Sequence, residues 1–81
     1  MRKRGPKYSL VRPNGDMVAR WMYHKGVDPV RLAEKADVGL RTVYRILNEE
    51  SRIRISTLAK IARVLDVPPS VLIREGDNHA A

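Results

Sequence analysis

No cysteine occurs anywhere in the chain. Disulfides and thiolate-bound metals are therefore excluded, and with them a zinc finger or a dithiol redox centre. The composition suits a reducing interior. No apolar run approaches the roughly 20 residues a membrane span needs. The basic start (Arg2, Lys3, Arg4, Lys7) is not followed by the apolar stretch of a secretory leader. A cytoplasmic protein with no membrane attachment is expected. The pieces of a reaction centre are missing too. The two histidines, His24 and His79, lie far apart in sequence. No serine sits in a nucleophile elbow, no glycine-rich phosphate loop is present, and no metal-ligand set can be assembled. The expectation is a protein that is not an enzyme and needs no cofactor. His24, near the end of a helix, reads as a polar surface residue that favours the helix dipole.

Negative charge is missing from one end. Nine acidic residues occur in the chain, yet none precedes Asp16. Residues 1–13 carry five basic residues, two prolines and one glycine, and read as a flexible basic arm. The whole chain of 81 residues has a formal net charge of +7. That length makes one domain with a modest core, and an excess of that size attracts a polyanion, most often nucleic acid.

Between the arm and a tail over 74–81, expected to be disordered, apolar residues recur three and four apart. Val18, Trp21 and Met22, with Met17, mark a first helix, capped by Asn14 and ended by Gly26 in the left-handed conformation. Asp28 and Pro29 start a second, two-turn helix whose stripe is Leu32, Ala33 and Ala36. Asp37, Val38 and Gly39 interrupt it. A third helix begins near Leu40, with Val43, Ile46 and Leu47 inward and Arg41, Tyr44, Arg45 and Asn48 facing elsewhere. Residues 49–54 read as a loop. A fourth helix starts near Ser56, burying Leu58, Ile61, Ala62 and Leu65, and stops at Asp66 and Pro68–Pro69. A fifth runs from Pro69 to Ile73. No strand signal competes, so the expected fold is all-α, with five short helices over 14–73.

The run from Lys25 to Ile46 (KGVDPVRLAEKADVGLRTVYRI) resembles the lambda repressor/Cro-like, or XRE-type, helix-turn-helix family. Residues 58–67 (LAKIARVLDV) look like that family's fourth helix, and the match spans roughly 17–73. The physics of the motif agrees with it. Two helices meeting steeply need a small residue at their contact, which Ala33 supplies, while Val38 plugs the turn and Val43 and Ile46 anchor the next helix. Two positions depart from the family. Asp37 stands where Gly is usual in the turn. Pro29 stands where Gln often contacts DNA backbone, and it offers no donor.

The resemblance implies a lambda repressor-like DNA-binding domain that regulates transcription by reading double-stranded DNA with its third helix. Carried over position by position, the base readers are Leu40, Arg41, Tyr44 and Arg45. Arg41 and Arg45 project from one helix face and suit the two acceptors of guanine. Leu40 suits a thymine methyl, and Tyr44 fits packing or phosphate contact equally well. Gly39, Thr42, Asn48, Arg52 and Arg54 fall where the family contacts the DNA backbone. Arg2, Lys3 and Arg4 fall in an arm of the kind that tracks a phosphate backbone or enters a minor groove. Relatives mostly form homodimers, which implies half-sites about 34 Å apart. The alternative is an antitoxin or adaptor domain of the same fold whose main partner is another protein. Val71, Leu72 and Ile73 then serve either that partner or the core. No helix combines a basic face with a broad exposed apolar one, so a membrane-surface role is not expected.

Overall fold

The computed structural model describes residues 10–74. The arm cations Arg2, Lys3, Arg4 and Lys7, the tail after 74 and His79 lie outside the described residues. The elements run β1 (Leu10–Val11), α1 (Gly15–Lys25), α2 (Pro29–Ala36), α3 (Leu40–Leu47), β2 (Ile53–Arg54) and α4 (Ile55–Leu65), closing in a single 3-10 turn at Pro69–Leu72.

The helix starts follow local chemistry. The Asn14 side chain accepts the Met17 N–H at 3.1 Å, and Asp28 accepts the Arg31 N–H at 2.8 Å ahead of Pro29. Each satisfies a donor that has no partner inside the helix.

The ends are more uniform still. Each of the four α-helices among the described residues is followed by a residue with positive φ: Gly26, Asp37 and Asp66 directly after α1, α2 and α4, and Glu49 one residue further on, after Asn48, for α3. The residue after each sends its N–H back five positions: Val27 to Met22, Val38 to Ala33, Glu50 to Arg45 and Val67 to Ala62, at 2.9–3.1 Å. This is the Schellman closure, in which an apolar residue just past the helix folds back on it. Val27, Val38 and Val67 do so and pack against the core. A left-handed conformation costs a residue with a Cβ about 1–2 kcal/mol, less for aspartate. The sequence shows why Gly26 and both aspartates stand there, but not why Glu49 does.

The inward stripes meet in one cluster: Val18 and Met22 from α1; Leu32, Ala33 and Ala36 from α2; Val43 and Ile46 from α3; Leu58, Ile61, Ala62 and Leu65 from α4; and Leu72. Leu72 is fully buried and Val71 and Ile73 pack against the cluster, so this segment closes the core.

Three features differ from the sequence-based expectation. The segment from Pro69 is not a fifth α-helix but a four-residue 3-10 turn, closed by an i→i+3 bond from the Val71 N–H to the Pro68 carbonyl at 3.0 Å. The domain is not purely α: Leu10–Val11 pairs antiparallel with Ile53–Arg54, Leu10 opposite Arg54 and Val11 opposite Ile53. Residues 49–54 are therefore not wholly loop. Residues 10–13, read as part of the arm, are held in place. Pro13 is buried and bridges Ile73; the Asn14 N–H reaches the Leu72 carbonyl at 2.8 Å, and the Arg74 N–H the Arg12 carbonyl at 2.9 Å. Two-residue strands carry no alternation to detect. Their pairing joins segments more than forty residues apart, so no local pattern announces it.

No helix among the described residues is long and apolar enough to cross a membrane.

Candidate nucleic-acid interface

The third helix is held by one side. Val43 and Ile46 are fully buried and Leu47 packs at the core margin, one helical repeat apart. The residues between them are thereby turned outward. Arg41 and Arg45 are exposed, and Leu40 and Tyr44 keep 39% and 46% of their surface, high values for apolar and aromatic side chains. An outward ridge of one leucine, one tyrosine and two arginines thus runs along α3. α2 packs behind it, with Ala33 nearly buried and Val38 tucked under the turn.

Gly39 precedes this ridge with φ −70°, and a Cβ built there would meet only Thr42 Oγ1 at 3.9 Å. Nothing inside the chain demands glycine at that position. Asn48 is exposed at the helix end, its amide 3.4 Å from Glu50.

Beside the ridge lies an open cleft of about 310 Å³. It gathers Thr42 and Arg45 from α3, Arg52 and Arg54 from the β2 segment, and the hydroxyl residues Ser51 and Thr57. Four of the residues singled out in the sequence thus share one depression with basic and hydroxyl side chains, which Leu10 and Ile53 also line. Arg41 and Tyr44 sit on the same helix but do not line it. Ser51 and Thr57 were missed, because isolated hydroxyl residues in a loop and a helix carry no sequence signal until the fold brings them together. Guanidinium and hydroxyl groups lining one depression suit phosphate oxygens.

Glu49 was also missed. Its Oε2 accepts the Gly15 N–H at 2.8 Å, at the start of α1. Arg74 donates Nε to Oε1 at 3.1 Å and Nη2 to Oε2 at 2.6 Å, with Asp16 Oδ2 3.8 Å from the same nitrogen. A carboxylate at a helix N-terminus is favoured by the local dipole, and the two-pronged arginine contact is the strong form of an ion pair. These bonds compensate the left-handed backbone of Glu49.

The Arg74 hydrogen bond, followed by the Gly15 N–H, holds the Glu49 carboxyl below its ordinary value near 4.5. A carboxyl lowered in the folded state stabilises the fold fully above that ordinary value. The contribution is lost as pH falls through the lowered folded value. Thermal melts from pH 7 down to pH 3 are expected to lose less stability in Glu49→Gln than in the parent. Parallel curves would show that Glu49 contributes nothing to acid sensitivity.

His24 is exposed and its ring meets Trp21 edge to face, centroids 5.3 Å apart.

The helix-turn-helix sequence profile matches residues 24–72, more than half of the chain and the segment that contains α2, α3 and α4. The chain belongs to the helix-turn-helix family. Within it the type is that of the lambda repressor and the XRE regulators. No curated protein matches the chain.

Among solved structures, the N-terminal domain of the biofilm regulator SinR from Bacillus subtilis is 30% identical. It covers 78% of this chain and 93% of its own, with a TM-score of 0.68. SinR in complex with DNA is 30% identical over 69% of this helix-turn-helix chain and 90% of SinR, at a TM-score of 0.66. A SinR–SinI protein complex matches at 29% identity and TM-score 0.71, covering 84% of this chain and 67% of that one. A hydroxyethylphosphonate dioxygenase matches at TM-score 0.68 but only 23% identity. This chain spans 14% of the dioxygenase, so that likeness concerns the fold alone.

Proposed function

We propose that this helix-turn-helix domain binds duplex DNA sequence-specifically as a bacterial or phage transcription regulator, inserting α3 into the major groove. The observation that carries the reading is the outward ridge Leu40, Arg41, Tyr44 and Arg45 on a helix whose other side is locked into the core. A major groove about 12 Å wide admits such a helix. The DNA complex of SinR, a relative sharing this fold, supports it. Arg41 and Arg45 read guanine and Leu40 meets a thymine methyl. Tyr44 completes the ridge. Gly39, Thr42, Asn48, Arg52 and Arg54 grip phosphates, joined by Arg2, Lys3 and Arg4 of the basic arm. Two copies bind half-sites one helical turn, about 34 Å, apart. The protein acts in the cytoplasm, where its DNA lies.

The SinR–SinI complex favours a second reading, in which the domain's main partner is another protein, as for an antitoxin or adaptor. Selection on random duplexes separates the two. The DNA reading expects an enriched site containing guanine, bound with a log–log salt slope of about −0.9 per phosphate neutralised. Enrichment of no sequence at all would leave the protein-partner reading in its place.

A further inference from the structure

Resting on the reading that α3 is the helix offered to DNA, we infer that Glu49 is a positioning residue for that helix. Its carboxylate, clamped by Arg74, sets the tilt of α3 against α1.

The core contacts restrain that tilt without directional bonds. Val43 and Ile46, with Leu47 at the margin, hold α3 by one apolar face. Contacts of that kind keep α3 in the core but are non-directional, so they restrain its orientation less sharply than hydrogen bonds do. Directional restraint enters at the C-terminal end. There the carbonyls of Ile46 and Leu47 lie against Gly15 with no side chain between the two backbones. Glu49 lies two residues beyond α3 in the left-handed conformation. Its carboxylate bonds to α1 at Gly15, 34 residues away in sequence, and to Arg74, 25 residues away. Arg74 is itself tied down, since its N–H bonds the Arg12 carbonyl at 2.9 Å. One carboxylate therefore joins the end of α3, the start of α1 and the segment after the 3-10 turn.

The lever is long enough to matter. Eight residues at 1.5 Å rise make α3 about 12 Å long, so a pivot of about 10° at Glu49 moves Leu40 and Arg41 by about 2 Å. Hydrogen bonds to base edges tolerate a few tenths of an ångström. Contacts to phosphates through long, mobile side chains tolerate far more. Loosening the clamp should therefore weaken specific binding and leave non-specific binding nearly intact.

The test uses two single variants of the full chain, Glu49→Gln and Arg74→Gln, on the selected duplex and on random duplex. The first raises the net charge by one and the second lowers it by one. If these groups acted only through charge, affinity for DNA would rise in the first and fall in the second. Positioning instead expects both to lose about tenfold on the selected duplex, the size of effect that residues outside an interface exert on it. The double variant should be no weaker than the worse single one, because both changes break the same clamp. Arg74→Lys, which keeps the charge but not the fork, should lose an intermediate amount.

A second measurement needs no DNA. Residual dipolar couplings of the α3 amides, referenced to α4, should report a changed helix orientation in both glutamine variants. The inference is overturned if the two single variants shift selected-duplex affinity in opposite directions or not at all. It is equally overturned if their α3 couplings match the parent's. Should the parent show no preferred duplex, the DNA reading fails, while the couplings still decide whether Glu49 sets the tilt.

Discussion

Replacing Arg45 by alanine is expected to weaken binding to the preferred duplex by about ten- to a hundredfold. That loss corresponds to one two-pronged arginine–guanine contact, about 1–3 kcal/mol. Affinity for random duplex should fall only about twofold, and repeated selection should no longer enrich guanine at one position. Arg45 is exposed on the ridge of α3, but it also lines the cleft that holds Arg52 and Arg54. Those two placements suggest opposite chemistry. A guanidinium serving phosphates alone would weaken selected and random duplexes equally, with the salt slope shallower by about 0.9. Anisotropy titrations of both duplexes at several salt concentrations read the difference. An equal loss on both would remove Arg45 from the base-reading set and leave Arg41, one turn earlier and outside the cleft, as the guanine reader.

Gly15→Ala should lower unfolding stability by about 1–3 kcal/mol, the usual range for forcing a group into a packed interior. The sign runs against helix propensity, since alanine is normally better than glycine in a helix by about 1 kcal/mol. Here the new methyl would run into the Leu47 carbonyl oxygen and come within 2.9 Å of the Ile46 carbonyl oxygen. Those atoms are backbone at the end of α3 and cannot swing aside as a side chain would. α1 and α3 must separate, and the Gly15 N–H bond to Glu49 stretches with them. For a domain whose whole stability is several kcal/mol, that is a large share. Urea unfolding is the measurement. A midpoint equal to the parent's would mean that the two helices can part without loss.

Much of the fold was legible because helical periodicity and end chemistry are local. The stripe Leu58, Ile61, Ala62 and Leu65 was read as inward and is buried, as are Leu32, Ala33 and Ala36. Asn14 and Asp28 are residues whose side chains suit caps, and each accepts the N–H three residues on. Asp37 was noted as an aspartate where the family has glycine; its φ of 60° is the left-handed conformation that glycine would have served. Glu49 takes the same conformation and gave no such signal, because glutamate has no preference for it. The β1–β2 pair was missed for a related reason. Two residues are too few for alternation to register, and β1 falls at the end of a stretch that reads as a flexible basic arm.

The amino-acid order by itself determined where helices start and stop, which face of each turns inward, and the positive charge that calls for a polyanion. These depend on neighbours within one or two turns, so a linear reading reaches them. Only the tertiary structure decided that Arg45, Arg52 and Arg54 share a cleft with Thr42, Ser51 and Thr57. It alone decided that Gly15 abuts the end of α3 and that Glu49 bridges Gly15 to Arg74. Each of those contacts joins segments distant along the chain. They form because burying the shared apolar cluster brings the helix ends together, and no local pattern encodes which ends will meet.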